Sequence, residues 1–189
     1  MFYDNLLYIC INKFTNHSMR QTKSISKILY YLCIILSSGY LLTFLYSVFC
    51  LLTGFAVTSY KENKYLHINY PFTNQPFLNI ENNYAYIILS FLLVLLTYGI
   101  FFWLSAKVFK VFFQSKLFTE GNIVHLKRFY IYNIFFPLPI VMMSSFFVEV
   151  EAFIWGLVFI HFMLGIFCFF LSSIFKQGLH LQNEQDLFI

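Results

Sequence analysis

Charged residues are scarce in this chain of 189 residues, because Asp, Glu, Lys and Arg together make up only 11% of it. Ordinary globular domains carry about 25% charged and roughly 45 to 50% apolar residues, whereas 60% of this chain is apolar. A water-soluble fold of this size could not bury so much apolar surface. The aromatic content of 23% suits a lipid-facing surface with amphipathic rings near the head groups. The composition therefore predicts an integral membrane protein.

Motifs for catalysis and metal binding are missing as well. The four cysteines (Cys10, Cys33, Cys50 and Cys168) have no paired spacing and predict neither a disulfide framework nor a zinc site. The sequence has no HExxH motif, no CxxC pair and no phosphate-binding glycine-rich loop. We therefore expect no enzyme, no cofactor and no metal site. The net charge of +4 sits beside apolar stretches, so we expect no direct binding of nucleic acid.

Four stretches without Asp, Glu, Lys or Arg are long enough to cross a bilayer, which takes about 20 apolar residues. Only a helix satisfies its own backbone hydrogen bonds within one segment in hydrocarbon. We therefore predict an all-α fold, a four-helix transmembrane bundle in which Pro137 and Pro139 kink the third span. The predicted spans cover about 28–57, 84–106, 129–148 and 152–175.

Positive charges flank these stretches unevenly. Ten Lys and Arg residues fall on one side of the predicted membrane, whereas only Lys61 and Lys64 fall on the other. Because cytoplasmic loops carry the excess of Lys and Arg, we expect both termini in the cytoplasm. The chain then divides into an N-terminal segment 1–27, a membrane domain 28–175 and a tail 176–189. Met19 precedes the first span as a natural start would, so we expect residues 1–18 to be dispensable or misassigned.

The segment of about 58–83 is the one sizeable surface predicted outside the cell. Leu66, Ile68 and Tyr70 alternate with polar neighbours, as do Leu78 and Ile80. This period of two predicts a small β-hairpin closed through 71–76. Two interpretations stay open, a passive connector and a surface that senses something outside.

Small and polar side chains form stripes on two predicted helices. His161 is the only conventionally ionisable residue near mid-span, and such a residue is a functional candidate by default. It shares a face with Gly165, Cys168 and Ser172. The first span has a similar face with Gly39, Thr43, Ser47, Cys50 and Gly54. We predict that these stripes form the central helix contact. His161 is then either a neutral imidazole bonded to a Ser, Thr or Tyr of a neighbouring helix, or a proton-linked or ligand-binding group.

The third span carries Asn133, Pro137, Val141 and Ser144 along one face. Pro137 lacks a backbone N–H and so frees the carbonyl of Asn133 from its usual partner. A kink with a polar lining can form a cavity, or it can serve packing alone.

Two segments resemble signatures of a bacterial family, domain-of-unknown-function family 2975. In the first, Phe118-Thr119-Glu120-Gly121-Asn122, Thr119 can cap the helix that leads into the third span. The second is the tail, where Asn183 and Phe188 depart from the usual pattern. The tail positions that match are Gly178, Leu181, Gln182, Glu184, Asp186, Leu187 and Ile189. The span positions match too, so the resemblance covers about 20–189.

The resemblance implies a protein of the bacterial cytoplasmic membrane, encoded beside a small helix-turn-helix regulator of the Cro/CI type. We therefore expect a non-enzymatic multi-pass membrane protein whose inner loop and tail engage that cytosolic DNA-binding regulator. The tail either folds back onto the basic loop, the slightly favoured alternative, or presents itself to the partner. A binding or immunity-type protein that acts on a peptide or small molecule through its outer loop is the main alternative. A third alternative, a small proton-coupled carrier, is supported by His161 alone. A homo-oligomer is compatible with all three functions.

Overall fold

The computed structural model describes the backbone of residues 2–186 and the side chains of residues 19–186. The chain is mostly helical, with a small antiparallel sheet near its first third. In order, the elements are α1 (Phe2–Thr53), β1 (Val57–Tyr60), β2 (Tyr65–Asn69), β3 (Pro76–Glu81), a π-helical segment (Tyr86–Leu92) that continues as α2 (Leu93–Val111), α3 (Glu120–Phe135), α4 (Pro137–Ser145) and α5 (Ala152–Asp186).

Among the described residues, three helices are long and apolar enough to cross a membrane, judged by length and composition: Met19–Thr53, Tyr86–Val111 and Ala152–Asp186. Large apolar side chains cover their outer surface, and Ile35 and Phe167 are 71% and 69% exposed. The third predicted span is divided instead of continuous. Its two parts, α3 and α4, meet at Phe136, because Pro137 starts a new helix at its first position. The chain thus has the apolar helices of a membrane protein.

The helices pair along the chain in an order that brings α5 back beside α3. Helix α1 packs on α2, α2 also packs on α3, and α3 packs on α5. We call the end with the three strands the sheet end, and the end with the loop 112–119 and the last turns of α5 the tail end. The main apolar core lies toward the tail end and joins α2, α3 and α5. Its buried residues are Leu104, Val111, Leu126, Phe129, Tyr132, Cys168 and Phe175.

The sheet has the order β1-β2-β3 with both pairs antiparallel. Leu66 lies opposite Ile80, so the predicted β2–β3 hairpin is present. The first strand was not predicted, because the charge-free stretch indicated a helix as far as Val57. Helix α1 instead ends at Thr53, where Gly54 adopts a φ of +72° that favours glycine and donates its N–H to the Cys50 carbonyl at 2.9 Å. The residues after this end, Val57–Tyr60, form β1 and pair with β2.

One face of the sheet covers the end of α1. Ile68 and Ile80 are buried with Cys50 and Ile87 in a second, smaller core. The Tyr46 hydroxyl donates to the carbonyl of Asn69 at 2.6 Å and ties α1 to β2. The alternation of Leu66 with Ile68 and of Leu78 with Ile80 therefore reflects a face turned toward the helices, whereas Tyr70 lies beyond β2 and is exposed.

Candidate functional site

The polar centre of the bundle is a hydrogen bond between α3 and α5. His161 Nδ1 lies 2.7 Å from Asn133 Oδ1, and both residues are buried. The Asn133 side-chain nitrogen donates to the Phe129 carbonyl at 2.9 Å. Because the amide nitrogen is used there, the amide oxygen accepts and Nδ1 of His161 donates. The partner of His161 is thus an asparagine instead of the predicted Ser, Thr or Tyr.

Aromatic rings from α2 enclose this pair. The Phe101 ring meets the imidazole edge to face at 4.8 Å between centroids, and the Tyr98 ring lies 5.9 Å away. Nearby, the Tyr132 hydroxyl donates to the Thr97 carbonyl at 2.8 Å and links α3 to α2. Three helices therefore meet around one polar pair that an apolar shell surrounds.

The stripe predicted on α5 is buried as a unit against α3. Gly165 permits the closest approach, because a Cβ there would lie 2.6 Å from Ile134 Cγ1 and 3.3 Å from the Tyr130 carbonyl oxygen. Cys168 Sγ lies 3.6 Å from the Leu126 carbonyl oxygen. His161 and Ser172 are buried at either end of this contact. The structure thus places all four residues on the face of α5 that meets α3.

The stripe predicted on α1 lies only partly in a helix contact. Ser47 and Cys50 are buried and Thr43 is half-buried, but Gly39 is exposed, and a Cβ added there would meet no atom within 4 Å. Gly54 is exposed beyond the end of the helix. The predicted central contact between the two stripes is wrong, because α1 packs on α2 while the α5 stripe packs on α3.

The closest contact that α1 makes with α2 uses Ser37 and Gly99, which the sequence pattern did not single out. Ser37 is buried, and its hydroxyl donates to the Gly99 carbonyl at 2.9 Å. A Cβ on Gly99 would lie 2.7 Å from Leu41 Cδ2, so the helices are close here. Small residues mark this face of α1, and a search for them at a period of about 3.5 would have found it. The buried ones are Ser26, Cys33, Ser37, Ser47 and Cys50.

At the tail end, the two family signatures contact each other. Phe118 lies against Gly178, where an added Cβ would come within 2.7 Å of the ring. The Phe118 ring also meets Phe175 edge to face at 5.3 Å. These segments are about 60 positions apart in sequence, so the contact is tertiary. It joins the inner loop and the start of the tail into one surface.

The loop before α3 is held by the polar residues of its own signature. Thr119 is the N-cap of α3, and its hydroxyl oxygen accepts from Asn122 N at 3.2 Å, as predicted. The buried Asn122 side chain donates to the carbonyls of Lys116 and Leu117 at 3.2 and 2.8 Å. Thr119 and Asn122 therefore fix the loop that presents Phe118.

The tail continues α5 as a helix as far as Asp186 and meets the loop at Gly178 without reversing its direction. Gln182 is half-buried, whereas Leu181, Glu184 and Asp186 are exposed. His180 and Glu184 form an exposed contact at 3.3 Å, one turn apart. The predicted signature residues Leu187 and Ile189 lie outside the described residues.

A basic cluster surrounds His125 on α3. Burial lowers the pKa of His125 from its ordinary value of 6.5, and the charges of Lys107, Arg128 and Lys110 lower it further. His125 is therefore neutral at neutral pH. Among residues 19–186, no three His, Cys, Asp or Glu side chains are grouped as metal ligands would be.

The fold and this site together define a mostly helical protein with the apolar helices typical of membrane proteins, a buried polar pair and a surface at the tail end that both signatures form. The family described as "Protein of unknown function (DUF2975)" matches residues 53–189, and the chain belongs to it. The match begins later than the 20–189 expected from the resemblance. Neither the curated proteins nor the solved structures contain a match.

Proposed function

We propose that this chain is a non-enzymatic protein of the bacterial cytoplasmic membrane that crosses it four times, with both termini in the cytoplasm. Residues 129–148, in the joined helices α3 and α4 and the turn after them, provide the third crossing, since a helical path of 20 residues is about 30 Å long. The excess of Lys and Arg at the tail end supports a cytoplasmic position for that end.

The function that the tail end supports best is engagement of a cytosolic helix-turn-helix regulator. The observation that carries this proposal is the contact of Phe118 with Gly178, which joins both family signatures into one surface. Helix α5 then extends ten residues beyond Lys176, or about 15 Å, and presents an apolar side chain, Leu181, that is 62% exposed. An exposed leucine among polar residues on a helix is suited to an apolar groove of a soluble partner.

The test is affinity purification of the full-length protein from membranes, followed by identification of bound proteins and measurement of transcripts. Leu181→Glu should remove the regulator from the purified complex and change transcription as deletion of the whole protein does. Phe72→Glu is the matched control, because Phe72 is an exposed apolar residue at the sheet end. Recovery of no DNA-binding protein from the wild type, with transcription unchanged by deletion, would contradict the proposal.

A second candidate, action on a peptide or small molecule through the outer segment, is favoured by one observation. Phe72 is 94% exposed and Tyr70 is exposed beside it, so the sheet end presents aromatic rings. Ile68 is fully buried and Leu66 is half-buried, which makes them unsuitable as contact residues. Under this alternative, Tyr70→Ala with Phe72→Ala abolishes the cellular phenotype and removal of residues 180–189 does not.

A further inference from the structure

A groove of about 410 Å³ runs along the outer surface between α3 and α5 near the tail end. It carries Lys127 from α3 and Lys176 from α5, both exposed. Within residues 19–186 neither lysine forms an ion pair. Glu120 lines the groove as well, so the three charged side chains of the groove have a net charge of +1. The groove therefore favours an anionic ligand.

The one buried residue of the lining is a serine without a partner. Ser172 is 8% exposed, and its hydroxyl forms no hydrogen bond to any group that the structure describes. The next residue, Ser173, differs because its hydroxyl donates to the Phe169 carbonyl at 3.2 Å. The Ser172 hydroxyl opens onto the groove, where it is free to donate a hydrogen bond. An oxygen atom of a ligand in the groove would satisfy it.

The rest of the groove is mainly apolar. The Tyr130 and Phe169 rings meet edge to face at 5.4 Å, and Phe169 is exposed on the outer surface. Val124 is exposed on the same wall. This wall continues into the apolar surface that suits contact with lipid. The ligand that fits has an anionic head and an apolar body.

We propose that this groove binds the phosphate group of an anionic phospholipid. The phosphate oxygens lie between Lys127 and Lys176, one oxygen accepts from Ser172, and an acyl chain lies along Tyr130 and Phe169. Ammonium groups bind phosphate through charge-assisted hydrogen bonds. Free phosphate would meet the same lysines but would leave the apolar wall uncovered. This inference needs the membrane location of the chain and does not depend on the regulator.

Binding is measured on the full chain in detergent micelles by native mass spectrometry, with phosphatidylglycerol titrated as the probe. Lys127→Gln with Lys176→Gln should weaken phosphatidylglycerol binding at least about tenfold, because each lysine near an anionic head group contributes a factor of about five. Lys107→Gln with Lys110→Gln is the matched control. It removes the same charge from the tail end at a place where Lys107 already lies over the Trp103 ring, 5.3 Å from the centroid. The control should change binding less than about twofold.

Ser172→Leu fills the bottom of the groove and should reduce binding by a similar factor, whereas Ser172→Ala should reduce it by a smaller one. Thermal unfolding of each variant shows whether it folds. If Ser172→Leu does not fold, the comparison of the two lysine pairs alone tests the proposal. Equal losses in both lysine pairs would overturn the proposal, because general surface charge would then explain binding. It would also be overturned if inorganic phosphate competed with phosphatidylglycerol at equal concentration, since the ligand would then be the free anion.

Discussion

The imidazole Nδ1 of His161 donates to the side-chain oxygen of Asn133 across a distance of 2.7 Å, and this bond joins α5 to α3 in the centre of the bundle. Removing one partner leaves the other buried and unsatisfied, which costs about 1–3 kcal/mol. Asn133→Leu should therefore lower the free energy of unfolding in detergent by about that amount. Thermal or denaturant unfolding followed by circular dichroism measures it.

The double variant Asn133→Leu with His161→Leu separates a structural role from a functional one. If the pair serves packing, the double variant should be more stable than the sum of the two single losses predicts, since no polar group stays unpaired. A cellular phenotype that survives His161→Leu would remove the proton-coupled carrier. A phenotype lost in His161→Leu but kept in Asn133→Leu would instead assign His161 a chemical role.

Gly165 sets the separation of α3 and α5. An alanine there would place its Cβ 2.6 Å from Ile134 Cγ1 and 3.3 Å from backbone atoms of α3, so the helices would have to move apart. Gly165→Ala should destabilise the protein by about 1–3 kcal/mol. Gly156→Ala is the matched control on the same helix, because no atom lies within 4 Å of that site. The two variants should differ clearly in melting temperature, and equal temperatures would contradict the packing described.

Gly178 performs the corresponding role at the tail end, where Phe118 lies over it. Gly178→Ala brings a Cβ within 2.7 Å of that ring. It should weaken binding of the regulator and lower the free energy of unfolding by about 1–2 kcal/mol. A second change, Phe118→Leu, removes the clash and should restore part of both losses. Gly121→Ala, which meets no atom within 4 Å, is the control. No recovery in the double variant would show that the ring does not cause the loss.

His125 predicts how stability depends on pH. Its folded pKa is below 6.5, so the unfolded chain binds a proton first as the pH falls. The stability that neutral His125 contributes to the folded protein is therefore fully present above pH 6.5. It is lost as the pH falls from 6.5 through the folded pKa. His125→Gln should flatten the fall in melting temperature over this range. An unchanged pH profile in His125→Gln would show that the neutral state of His125 does not stabilise the fold.

Much of the helical framework could be predicted because hydrocarbon imposes simple rules on a sequence. Apolar length indicated α2 and α5, the polar residue at position 161 marked the buried face of α5, and Thr119 marked the start of α3. The partner of His161 could not be predicted, because Asn133 is 28 positions away and the pairing depends on how α3 and α5 pack. The end of α1 was placed too late, since absence of charge cannot separate a strand such as β1 from a helix.

The third predicted span shows a further limit. Two prolines predicted a kink between 129 and 148, but the extent of the break at Phe136 depends on the neighbouring helices. The face of α1 was misassigned for a related reason. Gly39 and Gly54 suggested close packing, whereas Gly54 ends the helix and Ser37 makes the contact with Gly99. A small residue in the sequence does not say which neighbour approaches it.

Cysteine labelling in intact cells decides whether the chain crosses the membrane four times with its tail end in the cytoplasm. We predict that Glu149→Cys, in the turn between α4 and α5, reacts with a membrane-impermeant maleimide. We also predict that Lys116→Cys, in the loop before α3, reacts only after the cells are opened. Both variants are made in a Cys10→Ser background, and that background protein alone supplies the blank, since Cys33, Cys50 and Cys168 are buried. Labelling of Lys116→Cys in intact cells, with Glu149→Cys protected, would contradict this topology.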